Sequence, residues 1–154
     1  MMSLCCNVLD ALAGKTLATA ESCTGGLIGA ALTAVPGSSA VYKGGVISYT
    51  NQVKHDLLGV SFEILEDFGA VSMPVAKAMA VGVRKVLTAD VAVSVTGLAG
   101  PGGDEYGNPV GTVFIGYTDG KQSTARRFLF SGDRDQVRRQ AAEAALRIIL
   151  EYQK

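Results

Sequence analysis

The chain has 154 residues, of which 48% are hydrophobic and 18% charged, and its 14 lysines and arginines balance 14 aspartates and glutamates. Such a composition argues against disorder, and a zero net charge supplies no global field to attract nucleic acid or a membrane surface. The length suits one domain with a sizeable core. Three cysteines without C-x-x-C spacing, with a single histidine, do not make a zinc site and fit a reduced, cytoplasmic protein. Asp10 interrupts the early apolar residues, and no basic segment precedes them, so neither a signal peptide nor a membrane span is expected.

Leu4, Val8, Leu9 and Leu12 recur at helical spacing, with Gly14 as the expected C-cap. Ala13-Gly14-Lys15-Thr16 imitates the end of a phosphate-binding P-loop, but Leu9 stands where that motif requires glycine. Thr16 to Ala20 predicts a strand. Leu27 to Ala34 predicts a helix, stopped at Pro36-Gly37 before Ser38-Ser39. Val41 to Thr50 is extended, and Gly44 and Gly45 suggest a bulge or a close backbone approach. Asn51 is the expected N-cap of a helix from Gln52 to Leu58, which Gly59 ends. Ser61 to Phe68 predicts a short helix. Ser72 caps a longer one through about Leu87, with Val75, Met79, Val83 and Val86 as its core stripe.

Val91 to Val95 reads as a buried strand. A glycine-rich loop from Thr96 to Asp104 follows it. Val110 to Tyr117 and Ser123 to Phe130 form a hairpin around Asp119-Gly120. Asp133 caps a last helix that carries Val137, Ala141, Ala144, Leu146, Ile148 and Ile149. The pattern predicts an α/β fold, a three-layer α/β/α sandwich around a mixed sheet of about five strands.

Chemistry concentrates at Glu21-Ser22-Cys23-Thr24-Gly25-Gly26, a strand-to-helix turn of the kind that presents side chains and free N–H groups to a ligand. Its two glycines fit either close approach of a substrate or a tight turn packed on the sheet. Ser22 as nucleophile needs a base. His55 with Asp56 is formally available, but helix neighbours point about 100° apart, so Asp56 is a poor orienter for His55. Lys54 precedes Leu57 and Leu58 by three and four residues, so all three are expected to share an inward face. Desolvation of its ammonium would lower its pKa and make it a base for Ser22; the competing reading is a snorkelling stem with a wet head. Tyr49 can relay the proton, hold the lysine, or simply end a strand. The N–H groups of Cys23 and Thr24 can hold an oxyanion. Cys23 is itself a rival nucleophile if the helix end lowers its pKa.

Several motifs resemble the CinA C-terminal domain family: Ala20 to Gly26, Pro36 to Ser39, Gly44 to Asn51 with Lys54, Leu58-Gly59-Val60, Gly69 to Ser72, Thr96 to Gly103 and Pro109 to Val113. The resemblance runs from about Leu4 to the C-terminus. It implies nicotinamide-nucleotide amidase activity, converting nicotinamide mononucleotide to nicotinic acid mononucleotide and ammonia in pyridine nucleotide salvage. It implies Ser22 as nucleophile, Lys54 and Tyr49 as its catalytic partners, and Thr96 as a substrate contact. With it, the expected substrate-facing set is Cys23, Thr24, Gly25, Gly45, Thr96, Gly97, Gly100 and Arg138, with no metal and no cofactor. Family habit further implies a homo-oligomer. Asn108 stands where many members carry lysine, after an idiosyncratic Asp104-Glu105-Tyr106-Gly107. That departure supports the alternative of a catalytically weak nucleotide-binding or competence-related interaction module.

Overall fold

A computed structural model describes residues 1–154. The chain runs α1 (Met2–Ala11), β1 (Leu17–Glu21), α2 (Leu27–Thr33), a 3₁₀ turn (Ser38–Ala40), β2 (Tyr42–Ile47), α3 (Asn51–Leu58), α4 (Phe62–Phe68) and α5 (Met73–Val86). It ends with β3 (Val91–Gly97), β4 (Thr112–Thr118), β5 (Ser123–Leu129) and α6 (Arg134–Tyr152). The strands form one sheet in the order β2-β1-β3-β4-β5. The first three are parallel and the last two antiparallel. The expected mixed five-stranded α/β fold is present. No helix is long and apolar enough to cross a membrane.

Two apolar clusters cover the two faces of the sheet. Val8, Leu12, Ile28, Leu32, Val137 and Ile149 from α1, α2 and α6 pack with Val93 and Ile115 on one side. Leu58, Leu65, Val75, Met79 and Val83 from α3, α4 and α5 pack with Ala18, Ala20 and Ala92 on the other. Strands β1, β3 and β4 are buried almost throughout, as strands covered on both faces must be. Val86, expected in the α5 stripe, is instead 55% exposed, and the next residue, Leu87, packs against the core in its place.

The local signals explain most boundaries. Side chains of Ser61, Ser72 and Asp133 accept bonds from the third backbone N–H after them, which satisfies orphan donors of the first turn. The α3 cap is Thr50 rather than the expected Asn51: the Thr50 hydroxyl takes the Val53 N–H at 3.3 Å. At the end of α1 the capping position falls on Leu12. Gly14, with φ +84°, makes the left-handed turn just beyond it. The register of β1 against β2 skips Lys43, so Gly44 lies in a bulge. Thr118 pairs with Ser123 across the Asp119-Gly120 connection, where Gly120 takes φ +85°.

Strand order decides where a ligand can go. From β1 the chain passes to β2 on one side, then returns to β3 on the other. The crevice at the carboxyl ends of β1 and β3 is therefore a topological switch point. One close approach sets the helix that borders it. Gly82 in α5 lies so near the Leu58 carbonyl oxygen, at the end of α3, that a Cβ there would collide with it. Alanine favours helices over glycine by about 1 kcal/mol, yet Gly82→Ala is expected to destabilise the protein, by about 2 kcal/mol of overpacking. Urea unfolding of the two proteins checks the sign.

Candidate active site

Ser22 follows β1 directly. Its N–H donates to the Val95 carbonyl on β3 at 2.9 Å, which extends the sheet by one residue and fixes the side chain at the crevice. Lys54, in the second turn of α3, reaches it from across the opening. Its Nζ donates to Ser22 Oγ at 3.0 Å, to the Ser48 carbonyl at 2.8 Å and to the Tyr49 carbonyl at 3.3 Å. The side chain is 1% exposed, so the wet-head alternative does not hold. Of its two expected apolar partners, Leu58 is buried and Leu57 is 51% exposed, because only the i+4 neighbour of this short helix stays under α5.

Burial pulls the Lys54 amine down from 10.5 to about 8, since desolvation penalises the ammonium. No carboxylate pairs with it, and the opposing pull of Cys23 is smaller than the desolvation. Below about pH 8 the folded protein carries a buried ammonium that the unfolded chain would hold in water. That cost to stability is relieved as pH rises from about 8 towards 10.5. One buried side-chain oxygen lacks a partner, and it is Ser48 Oγ, on the residue whose carbonyl holds the amine.

The turn after Ser22 is gripped from two sides. Glu21 is buried, and its Oε1 accepts from Thr24 Oγ1 at 2.7 Å, Gly26 N at 3.2 Å and Ile28 N at 2.9 Å, while its Oε2 accepts from Gly29 N at 3.1 Å. The amino end of α2 is thus already occupied by the protein's own carboxylate. Gly25 N donates to the Ser22 carbonyl at 3.1 Å. The N–H groups of Cys23 and Thr24 donate to no other residue, and these are the two groups the sequence proposed for an oxyanion.

Burial also pushes the Cys23 thiol up to about 11. The helix end does not lower it as expected, because desolvation outweighs the neighbouring positive groups. A thiolate nucleophile is correspondingly disfavoured at neutral pH. His55 is elsewhere, with Nδ1 2.8 Å from the Val60 carbonyl and its ring stacked on Phe62 at 3.8 Å. Asp56 accepts from Gln52 at 2.9 Å. Neither residue faces Ser22.

Ser22, Cys23, Tyr49 and Lys54 line a cleft of about 260 Å³ with Ala70, Val71, Arg134 and the loop from Thr96 to Gly102. Thr96, Gly97 and Gly100 are therefore at the site. Thr96 Oγ1 donates to the Ala70 carbonyl at 2.8 Å, tying the two walls together. A Cβ on Gly97 would lie 2.9 Å from the Thr112 carbonyl, so that glycine serves the packing of β3 on β4. Four other expectations are corrected. Thr24 is fully buried outside the cleft, with its hydroxyl donating to Glu21. Gly45 is outside the cleft: a Cβ there would collide with Thr19 Oγ1 across the bulged strand pair. Gly25, at φ +60°, faces Arg138. Arg138 does not line the cleft either; its guanidinium holds the Cys23 and Thr24 carbonyls at 2.9 and 3.1 Å. The side chain of Tyr49 is placed differently from the expectation as well. It is 59% exposed, and its hydroxyl accepts from Arg134 Nη2 at 3.2 Å while its main chain holds Lys54.

Arg134 is the residue that sequence reasoning missed. It opens α6, where a charge reads as a solvated first turn, and only the fold brings it to Tyr49 and to the Gly100 carbonyl, 2.6 Å from Nη1. The Asp104–Asn108 segment is folded back on itself. Asn108 Nδ2 donates to Asp104 and to the Val71 carbonyl at 2.8 and 3.1 Å, and the Tyr106 hydroxyl donates to the Glu66 carbonyl at 2.7 Å. Asn108 therefore braces the cleft wall from behind.

The CinA C-terminal domain family model matches residues 3–153. The chain belongs to that family. It is 51% identical over 139 residues to a nicotinamide-nucleotide amidohydrolase, PncC, of Enterobacter agglomerans, covering 89% of this chain and 84% of that protein. It is 49% identical over 138 residues to a CinA-like protein of Sulfurihydrogenibium sp., covering 90% of this chain but only 34% of the relative. The chain thus spans about a third of that longer protein. A crystal structure of a competence-damaged protein (CinA) superfamily member from Klebsiella pneumoniae superposes with a TM-score of 0.96 at 36% identity, covering 99% of this chain and 96% of the other. The competence/damage inducible protein of Agrobacterium tumefaciens gives 0.95 at 38%, with coverages of 99% and 95%.

The two thiols at different depths give a direct check. Cys23 is 6% exposed with a raised pKa, whereas Cys6 is partly exposed. At pH 7.5 an aromatic disulfide reagent is expected to label Cys6 at least about tenfold faster than Cys23, read by mass spectrometry of the tryptic peptides.

Proposed function

We propose that this protein is a nicotinamide-nucleotide amidase that hydrolyses the carboxamide of nicotinamide mononucleotide through an acyl-enzyme on Ser22. The observation that carries the reading is the 3.0 Å contact between Ser22 Oγ and a buried Lys54 amine whose pKa falls to about 8. A neutral amine keeps a lone pair for the serine proton, which an ammonium lacks. Ser-Lys pairs are a known variant of nucleophile–base catalysis. The name of the Enterobacter relative supplies the substrate class.

In this reading Lys54 takes the Ser22 proton as Oγ attacks the carboxamide carbon. The N–H groups of Cys23 and Thr24 receive the oxygen as it gains charge. Lys54, now an ammonium, returns the proton to the leaving nitrogen, and ammonia departs. Water, deprotonated by the same amine, then attacks the acyl-enzyme and frees nicotinic acid mononucleotide, and the amine returns the proton to Ser22 Oγ. Tyr49 acts on both sides of the site. Its carbonyl orients the amine, and its hydroxyl holds Arg134, which stands at the cleft as the cation for the substrate phosphate.

Ammonia release from nicotinamide mononucleotide, measured with chelator present, tests the proposal. Ser22→Ala and Lys54→Ala are each expected to lose at least about 10³-fold in kcat, and Ser22→Ala to keep substrate binding by calorimetry. Full turnover by Ser22→Ala would end the serine mechanism. Binding without ammonia release by the wild type would favour the interaction-module alternative. The pH dependence follows from the sign of the shift. Only neutral Lys54 is a base, so kcat/KM should rise with pH and level off above about 8.

A further inference from the structure

We propose that Arg138 is a positioning residue for the oxyanion site: it grips the carbonyl oxygens of the turn that carries the free Cys23 N–H at the cleft. The inference rests on the amidase reading and adds a component to it. Arg138 lies in the second turn of α6, next to the buried core residue Val137. Its Nε donates to the Cys23 carbonyl at 2.9 Å and its Nη2 to the Thr24 carbonyl at 3.1 Å. It forms no ion pair with any carboxylate.

A trans peptide directs its C=O and its N–H to opposite sides. The Cys23 carbonyl belongs to the same peptide group as the Thr24 N–H, so pinning the first behind the turn aims the second away from Arg138. The next peptide group is engaged at both ends, with the Thr24 carbonyl on Arg138 and the Gly25 N–H on the Ser22 carbonyl. That bond in turn sets the plane that carries the free Cys23 N–H. Two consecutive donors are thus left unpartnered by a turn whose carbonyl oxygens are all held. A planar guanidinium suits this double grip, and charge-assisted bonds to the carbonyls polarise the amides and strengthen their donors. Gly25 makes room for it: a Cβ there would lie 3.3 Å from Nη2 in a left-handed backbone conformation. A guanidinium serving only to tie α6 to the turn would affect folding and leave the chemical step alone.

The experiment compares wild type, Arg138→Lys and Arg138→Gln for kcat, KM and pH profile on nicotinamide mononucleotide, after thermal unfolding shows which variants fold. Substrate binding is measured on the same variants carrying Ser22→Ala. Arg138→Gln is expected to lose about 30- to 100-fold in kcat, below the roughly 10²- to 10³-fold of one deleted oxyanion donor because the donor is misaligned rather than removed, with KM changed less than about threefold and the pH midpoint unmoved. Arg138→Lys keeps the charge but not the fork, so it should fall between the two, and it carries the test if the glutamine variant fails to fold. A kcat within about twofold of wild type in either folded variant would overturn the inference. A change confined to KM and binding would instead make Arg138 a substrate ligand, and a shifted pH midpoint would make it an electrostatic partner of Lys54. An inactive wild type would overturn the amidase reading and this inference with it, whereas an active wild type with unaffected variants would overturn this inference alone.

Discussion

A lysine amine sealed from water, with three oxygen atoms around it and no carboxylate among them, is costly to build, and much of this fold is arranged to hold it. Removing solvent makes the neutral amine accessible near physiological pH, while two main-chain carbonyls keep its direction fixed in either protonation state. Those carbonyls belong to Ser48 and Tyr49, at the exit of β2, so the edge strand sets the position of the Lys54 amine as well as covering β1. Ser22 is anchored to the opposite neighbour, β3. The pair therefore spans the two sides of β1, which is possible only because the chain reverses its direction of travel across the sheet at that point.

The turn after Ser22 shows how two opposite charges can divide one task. A carboxylate at the amino end of α2 gathers the helix donors and one threonine hydroxyl. A guanidinium from α6 gathers the carbonyls. Left over are the N–H groups of Cys23 and Thr24. The helix dipole is thus satisfied inside the protein, and the groups free to meet an anion belong to the turn itself. The same packing that shelters the turn raises the Cys23 thiol, so burial favours a neutral amine and a neutral thiol together.

Much of the fold was legible because its signals are local. Serine and aspartate caps, the Asp119-Gly120 hairpin and the glycine bulge in β2 each act within a few residues. The mistakes are also physical. Thr50 and Asn51 are both good caps, and which hydroxyl or amide meets the first-turn N–H depends on the direction in which β2 delivers the chain. Leu57 and Val86 have the right spacing for a core stripe, but near their helix ends the next residues, Leu58 and Leu87, take the core positions instead. Gly45 and Gly25 were read towards a ligand because glycine signals close approach without saying of what. Their neighbours are Thr19 and Arg138.

The sequence by itself determined the succession of strands and helices and the glycine-rich turns, and it made Lys54 a better candidate partner for Ser22 than His55, since helix geometry separates His55 from Asp56. Only the tertiary structure decided what each polar group meets. Whether Lys54 ends in water or on Ser22 Oγ depends on a carbonyl from a strand exit and on α5 passing close at Gly82. Whether Arg134 or Arg138 faces the cleft depends on how α6 lies across the end of the sheet. Those contacts join residues up to 115 positions apart, and their energies come from burial and shared acceptors, which no local pattern encodes.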